Sequence, residues 1–169
     1  DAAPERAFSS VSDAARELRE RLTELGLESF VKSTGGKGLH VVLPVKRKLS
    51  WDAHKAFALA LADAMARESP EKYLTNMRKD LRAGRVFLDY LRNARGATAI
   101  APYSTRAREG ATVATPLSWD ELVSDFDPRQ FDVRTVLSRV SHSDPWRDYK
   151  QLSTQSITAK ALRSLGVRA

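Results

Sequence analysis

A six-residue glycine loop, Ser33-Thr34-Gly35-Gly36-Lys37-Gly38, sets the strongest constraint on what this chain can fold into. It lies between two apolar stretches, residues 27–32 and 39–45, each with the length and composition of a strand. Pro44 bounds the second, because proline cannot donate to a strand ladder. Two strands across so short a loop predict a β-hairpin. Glycine also lets backbone N–H groups turn toward an anion with no Cβ in the way. Lys37 adds a point charge there and Thr34 a hydroxyl donor. The loop is not a Walker A motif: it lacks the Gly-x4-Gly-Lys-[Ser/Thr] order and leads into a strand. A phosphate cradle and a turn that merely needs glycine both stay open.

Helices flank this hairpin. From residue 9 or 10, Val11, Ala14, Ala15, Leu18, Leu22 and Leu25 recur at helical spacing, with a serine to cap the start and Gly26 to stop the end. Residues 50–68 predict a second helix, with Trp51, Phe57, Leu61 and Met65 among its apolar contacts and Ser69-Pro70 as its end. Residues 71–85 are basic and lack a clean period, which predicts an exposed loop. Residues 86–91 read as a strand, 92–96 as a turn and 97–101 as a partner strand. An ordered loop over 102–116 and short helices over 118–123 and 128–140 follow. The chain from Ser141 is polar, with one weakly amphipathic stretch at 157–165. No internal repeat or low-complexity segment is present.

Composition narrows the function classes. With 169 residues, 42% hydrophobic and 29% charged, the chain can bury one core and is not globally disordered. Its longest apolar runs are too short to span a bilayer. The absence of cysteine excludes a disulfide framework, a thiolate zinc site and a cysteine nucleophile. An excess of 28 Lys+Arg over 21 Asp+Glu, a net +7, favours an anionic partner such as nucleic acid, nucleotide or an acidic membrane surface. The chain opens Asp1-Ala2-Ala3-Pro4-Glu5-Arg6, without initiator Met or apolar signal core, and reads as a cut from a longer protein.

Three further features carry chemistry. His40 stands just inside the strand after the glycine loop, where it is either a hydrogen-bonded core or edge histidine or a donor to a phosphate. His54 and His142 make no metal-ligand spacing with it. Asp89 sits in the apolar run 86–91, where a carboxylate is costly to bury unless it pairs with an arginine or holds Mg2+ or Mn2+. One carboxylate cannot build a two-metal site. Arg78, Lys79, Arg82, Arg85, Arg92, Arg95, Arg106 and Arg108 cluster around Asp89, interleaved with Tyr73, Tyr90 and Tyr103. Arginine forks suit phosphate oxygens and tyrosine rings can stack on bases, although a solvated basic face has the same composition.

At these residues the chain resembles a known family. The blocks Phe30-Val31-Lys32-Ser33-Thr34-Gly35-Gly36-Lys37-Gly38-Leu39-His40, Val86-Phe87-Leu88-Asp89-Tyr90-Leu91-Arg92-Asn93 and Ile100-Ala101-Pro102-Tyr103-Ser104, in that order, resemble the polymerase domain of bacterial DNA ligase D. That domain belongs to the archaeo-eukaryotic primase superfamily and serves non-homologous end joining. The resemblance runs from the N-terminus to about residue 140. It implies that Thr34, Lys37 and His40 hold the incoming nucleotide, that Arg106 contacts its triphosphate, and that Asp89 completes a metal site. It also places Arg82 in a loop that meets DNA near the primer, and the position of Arg78 and Arg85 in the same basic stretch predicts that they contact backbone phosphates with it. The family's Asp-x-Asp pair is absent, and residues 1–4 look like those that follow it. The resemblance therefore implies the C-terminal portion of the domain, starting just downstream of two catalytic carboxylates.

The expected fold is mixed α/β, a primase-polymerase catalytic core with a small, mainly antiparallel sheet flanked by helices. Residues 1–145 would be the polymerase portion and 146–169 a C-terminal tail or linker. The function implied by the resemblance is nucleotidyl transfer to primer 3′ ends, with Asp89 and His40 as catalytic residues and Mn2+ or Mg2+ as cofactor, needing upstream carboxylates absent from this chain. A non-catalytic nucleotide- or DNA-binding module and a de novo primase stay open beside it. Expected partners are primer–template DNA or DNA ends, nucleoside triphosphates, and an N-terminal segment or ligase domain of the same parent protein. No membrane contact is expected, and the implied location is the bacterial cytoplasm, at the nucleoid.

Overall fold

The computed structural model describes residues 8–123, 126–142 and 144–167. The first helix, α1 (Ser9–Glu24), turns Val11, Ala14, Ala15 and Leu22 into the interior. Phe8 occupies its cap position and no side chain caps it, so the expected serine cap is not used. Its C-terminus is a Schellman turn. Gly26, at φ 73°, donates to Thr23, and Leu27 donates to Leu22 at 2.9 Å. That closure brings Leu27 onto Leu22 inside one core cluster.

The predicted hairpin forms. Strands β1 (Phe30–Ser33) and β2 (Leu39–Val42) pair antiparallel, with Lys32 opposite His40 and Val31 opposite Val41. Successive side chains alternate between faces. Val31 therefore joins Leu117, Leu122 and Phe126 in a core cluster, while Lys32 and His40 share the other face. The second helix, α2 (Trp51–Glu68), starts at Ser50, whose hydroxyl accepts from Ala53 N–H at 3.1 Å, and buries Phe57, Leu61, Ala62 and Met65. Trp51 is 58% exposed and takes no part in that core, contrary to the spacing argument.

The basic stretch after α2 is more ordered than its composition suggests. Strand β3 (Tyr73–Leu74) pairs parallel with β4 (Val86–Phe87), and a 3-10 turn spans Lys79–Arg82. The expected strand over 86–91 ends at Phe87, and residues 97–101 form no strand. The partner of β4 is instead β3, and β1 takes β5 (Pro116–Leu117) on the side away from β2, giving the antiparallel order β2-β1-β5 beside the parallel pair β3-β4. The region expected to be helical over 118–123 is a 3-10 turn, Trp119–Glu121. That over 128–140 divides into a turn, Pro128–Gln130, and helix α3 (Thr135–His142).

The C-terminal segment packs on this body. Trp146 stacks on Tyr149, the first residue of α4 (Tyr149–Leu152), and both rings tilt against Phe30. Gln155 accepts from Glu28 N–H and donates to the carbonyls of Glu28 and Pro44 at 2.7 and 2.8 Å. Ile157 and, on α5 (Ala159–Ser164), Ala161 and Leu162 are buried with Leu22, Leu27, Phe57 and Leu61. Among the described residues no helix is long and apolar enough to cross a membrane.

Candidate functional site

The glycine loop closes on itself and against the far side of the chain. Thr34 donates to the Gly38 carbonyl twice, from N–H at 3.1 Å and from Oγ1 at 2.9 Å. Gly35 N–H is held by Ser33 Oγ at 3.0 Å. Its φ of 64° favours glycine, and a Cβ there would lie 2.8 Å from Arg106 Cγ and 3.1 Å from Ala114 N and Val113 C. At Gly36 a Cβ would lie 2.9 Å from Arg108 Nη1. Two arginines are thereby pressed against the loop that carries Lys37. Among the described residues, the N–H groups of Gly36, Lys37 and Gly38 take no backbone partner, and no carboxylate pairs with Lys37, Arg106 or Arg108. Backbone donors without a backbone partner beside unpaired cations are the groups from which anion sites are built.

The segment carrying Arg106 is fixed by its backbone. Arg106 N–H donates to Thr112 at 2.8 Å, and Thr105 bridges Val113. Tyr103 holds a positive φ of 62° while its N–H bonds the Ala114 carbonyl. Below the loop, Lys32 is buried and its Nζ donates to Ile100 O at 2.9 Å. Burial, and then the nearby Arg106, push the Lys32 pKa down to about 8. Across the hairpin, burial and the charges of Lys32 and Arg92 lower His40 to about 4, against the opposing pull of Asp89. His40 is therefore neutral at pH 7 and presents one N–H as a donor.

Asp89 lies two residues past the end of β4. Its carboxylate accepts from Leu91 N–H at 3.0 Å, opening the 3-10 turn Leu91–Asn93, and stands 3.4 Å from Arg92 Nε. Arg92 also reaches the Thr98 carbonyl at 3.0 Å. The Asp89 side chain is 35% exposed, so it is not the buried mid-strand acid that its apolar neighbours suggest. Asp89, His40 and Arg92 line one end of a cavity of about 420 Å3 between α1, β2, α2 and β4, whose remaining walls are mostly apolar. No other acid lines it, and no group of three or more His, Cys, Asp or Glu is assembled among the described residues. Asp89 alone beside an arginine does not make a divalent-metal site.

The three arginines expected on the DNA path have different surroundings. Arg78 is exposed and pairs with Asp80 at 2.6 Å. Arg82 lies 4.1 Å over the Phe87 ring and donates to the Met77 carbonyl at 2.7 Å. Arg85 donates to the carbonyls of Pro70 and Leu81. Tyr73, weighed as a stacking ring, is buried and donates to Glu17 at 2.8 Å, so it is a core residue. Tyr90 lines the cavity and Tyr103 is exposed. Sequence reasoning assigned no role to Lys32 and counted Arg108 only as one member of the basic cluster. The two-residue alternation that places His40 also places Lys32 on its face, but only once the hairpin register is known.

Comparison with known proteins gives consistent relatives. Residues 1–146 match the family of the LigD primase-polymerase domain. The chain is 42% identical over 148 residues to the multifunctional non-homologous end joining protein LigD of Pseudomonas aeruginosa, covering 86% of this chain and 18% of that protein. It is 36% identical over 133 residues to the same-named protein of Mycolicibacterium smegmatis, covering 79% and 17%. To the bifunctional LigD of Bacillus subtilis it is 34% identical over 134 residues, covering 79% and 22%. The polymerase domain of Mycobacterium tuberculosis ligase D, solved in complex with DNA, superposes with a TM-score of 0.80 at 33% identity, covering 85% of this chain and 50% of that one. The chain thus spans about a fifth of these curated relatives and half of the solved domain.

Proposed function

This chain belongs to the LigD primase-polymerase domain family, and from that membership we propose that it is the nucleotide-gripping portion of a polymerase domain that adds ribo- or deoxyribonucleotides to primer 3′ ends during DNA end joining. The observation that carries this reading is the glycine loop packed on the Arg106 stem at Gly35, where a Cβ would clash, with the Arg108 guanidinium beside Gly36. In the reaction, a 3′-hydroxyl attacks the α-phosphorus in line and pyrophosphate leaves. Lys37 and Arg106 hold the outer phosphates, with the loop N–H groups as further donors. Neutral His40 donates one N–H to a phosphate oxygen. The Thr34 hydroxyl, already bonded to Gly38, shapes the loop rather than donating to the ligand.

Metal-assisted transfer needs several shared oxygens, and among the described residues Asp89 is the one acid that lines the cavity, with no cluster of three possible ligands. The reading therefore assigns the other carboxylates to a segment outside these 169 residues; β2 is one of the two outer strands of its sheet, and its residues line the cavity that Asp89 borders. Primer–template DNA and nucleoside triphosphates are the proposed partners, with Arg78 the most available of the three loop arginines. The proposed setting is the bacterial cytoplasm, where chromosomal ends would be met.

The lone carboxylate favours a second reading for the chain by itself, a nucleotide-binding module without catalysis. Primer extension with Mn2+ or Mg2+ separates the two. We expect no extension by the 169-residue chain, and extension by a longer polypeptide restoring the upstream sequence, lost on Asp89→Asn. Robust extension by the short chain would refute the need for outside carboxylates. Inactivity of the long one on a primer would refute the polymerase reading.

A further inference from the structure

Lys32 carries a charge that the fold does not explain. The residue is 3% exposed, and its ammonium donates to the neutral Ile100 carbonyl, 2.9 Å from Nζ. Among the described residues no carboxylate lies within ion-pair distance. A buried ion without a counter-ion is costly, and a methionine of similar length would fill the same space without that cost. The neighbours make matters worse. Arg106, on the segment that follows Ile100, repels the ammonium; His40, facing it from β2, is neutral; and β5, on its other side, offers Pro116. Asp89 acts on His40 and is itself beside Arg92. The position is at the base of the glycine loop, two residues before Thr34.

We propose that Lys32 belongs to the triphosphate site as a charge-supplying and positioning residue: a buried ammonium that receives its missing counter-charge from the bound phosphates while its bond to Ile100 fixes the segment carrying Arg106. This rests on the nucleotide-site reading above and extends it to a residue outside the loop. A bound polyanion offsets the repulsion between Lys32 and Arg106, so each cation makes the other's charge useful only when the ligand is present. In the empty protein the same charge is a liability. Stability and affinity are therefore expected to respond in opposite directions to its removal.

The test measures ATP and AMP binding by calorimetry, and thermal unfolding, for the 169-residue chain and its Lys32→Met variant. We expect ATP affinity to fall about tenfold or more, as for loss of a charge-assisted contact, with AMP affinity changing much less and the unfolding temperature unchanged or higher. A lower unfolding temperature with unchanged ATP affinity would overturn the proposal, since Lys32 would then be only a tie to Ile100. Equal losses for ATP and AMP would overturn it as well. Lys32→Gln, which keeps a donor for Ile100, provides the same comparison if the methionine variant does not fold. As a second measurement, raising the pH from about 7 to 9 deprotonates Lys32 in the free protein and should weaken ATP binding about tenfold in the wild type but not in Lys32→Met; a matching loss in both would count against it. Lys37→Ala separates the two levels. If it weakens ATP binding and Lys32→Met does not, the site stands and this inference fails. If the wild-type chain binds no ATP, the nucleotide-site reading fails and the inference falls with it.

Discussion

Replacing Gly35 with alanine tests whether the glycine loop is a turn or a fitted surface. Two costs add at this position. A left-handed φ of 64° is unfavourable for an L-residue by about 1–2 kcal/mol. The new Cβ also meets Arg106 Cγ at 2.8 Å and the backbone at Ala114 N and Val113 C at 3.1 Å. Overpacking of that kind costs about 1–3 kcal/mol. Gly35→Ala should therefore destabilise by about 2–5 kcal/mol in urea unfolding. Gly26→Ala supplies the reference, because Gly26 has a similar φ of 73° but nothing within 4 Å of an added methyl. Its loss should be only the conformational cost of about 1–2 kcal/mol, and the difference between the two variants isolates the contact with the Arg106 segment. Adding Arg106→Ala removes Cγ, the nearest of the crowding atoms, so the double variant should recover part of the loss while the backbone contacts remain. Equal destabilisation by Gly35→Ala and Gly26→Ala would refute the reasoning: the loop could then move off Arg106 freely, and their juxtaposition would not be built into the fold.

Three other outcomes are expected. Burial and the charges of Lys32 and Arg92 lower the His40 pKa to about 4, against about 6.5 when unfolded. The unfolded chain then binds more protons between those values, so stability is full above about pH 6.5 and falls as the pH drops toward 4. For a partly exposed ring the loss should be about 1–2 kcal/mol, and urea midpoints at about pH 5 and 7.5 should converge in His40→Gln. Tyr73→Phe removes the 2.8 Å bond to Glu17 and should cost about 0.5–1.5 kcal/mol by thermal unfolding; no loss would mean that water replaces the hydroxyl. Arg78→Ala should weaken primer–template binding uniformly across sequences and flatten its salt dependence by about one phosphate's worth of counterion release. Arg82→Ala should lower the unfolding temperature as well, since its guanidinium covers Phe87; an unchanged salt slope in both would remove this loop from the DNA path.

What the sequence made legible was local. The hairpin follows from a short glycine loop between two apolar runs, and α2 from apolar residues such as Phe57, Leu61 and Met65 at helical spacing before Ser69-Pro70, both decided within a few residues. The failures occur where a distant partner decides. Residues 86–91 look like one strand because they are apolar apart from one acid, yet Asp89 ends the strand itself by turning its carboxylate back to Leu91 N–H. Tyr73 looks like an exposed ring among cations, but two residues of parallel pairing with β4 are too short to leave a period, and Glu17 on α1 takes its hydroxyl. Charge counting treated Arg78, Arg82 and Arg85 alike, although backbone carbonyls and the Phe87 ring occupy two of them. The candidate site shows the same division. Thr34, Lys37 and His40 are neighbours in sequence and could be grouped from it, and their link to Asp89 and Arg106 came through family resemblance. The physical reason the loop and Arg106 can meet is the absence of a Cβ at Gly35, which lets the Arg106 stem and the loop occupy adjoining space. Lys32 stayed hidden for the opposite reason. A lysine in a strand reads as a solvent-facing residue, and only the closing of the Ile100 segment over β1 turns it into a buried, unpaired charge.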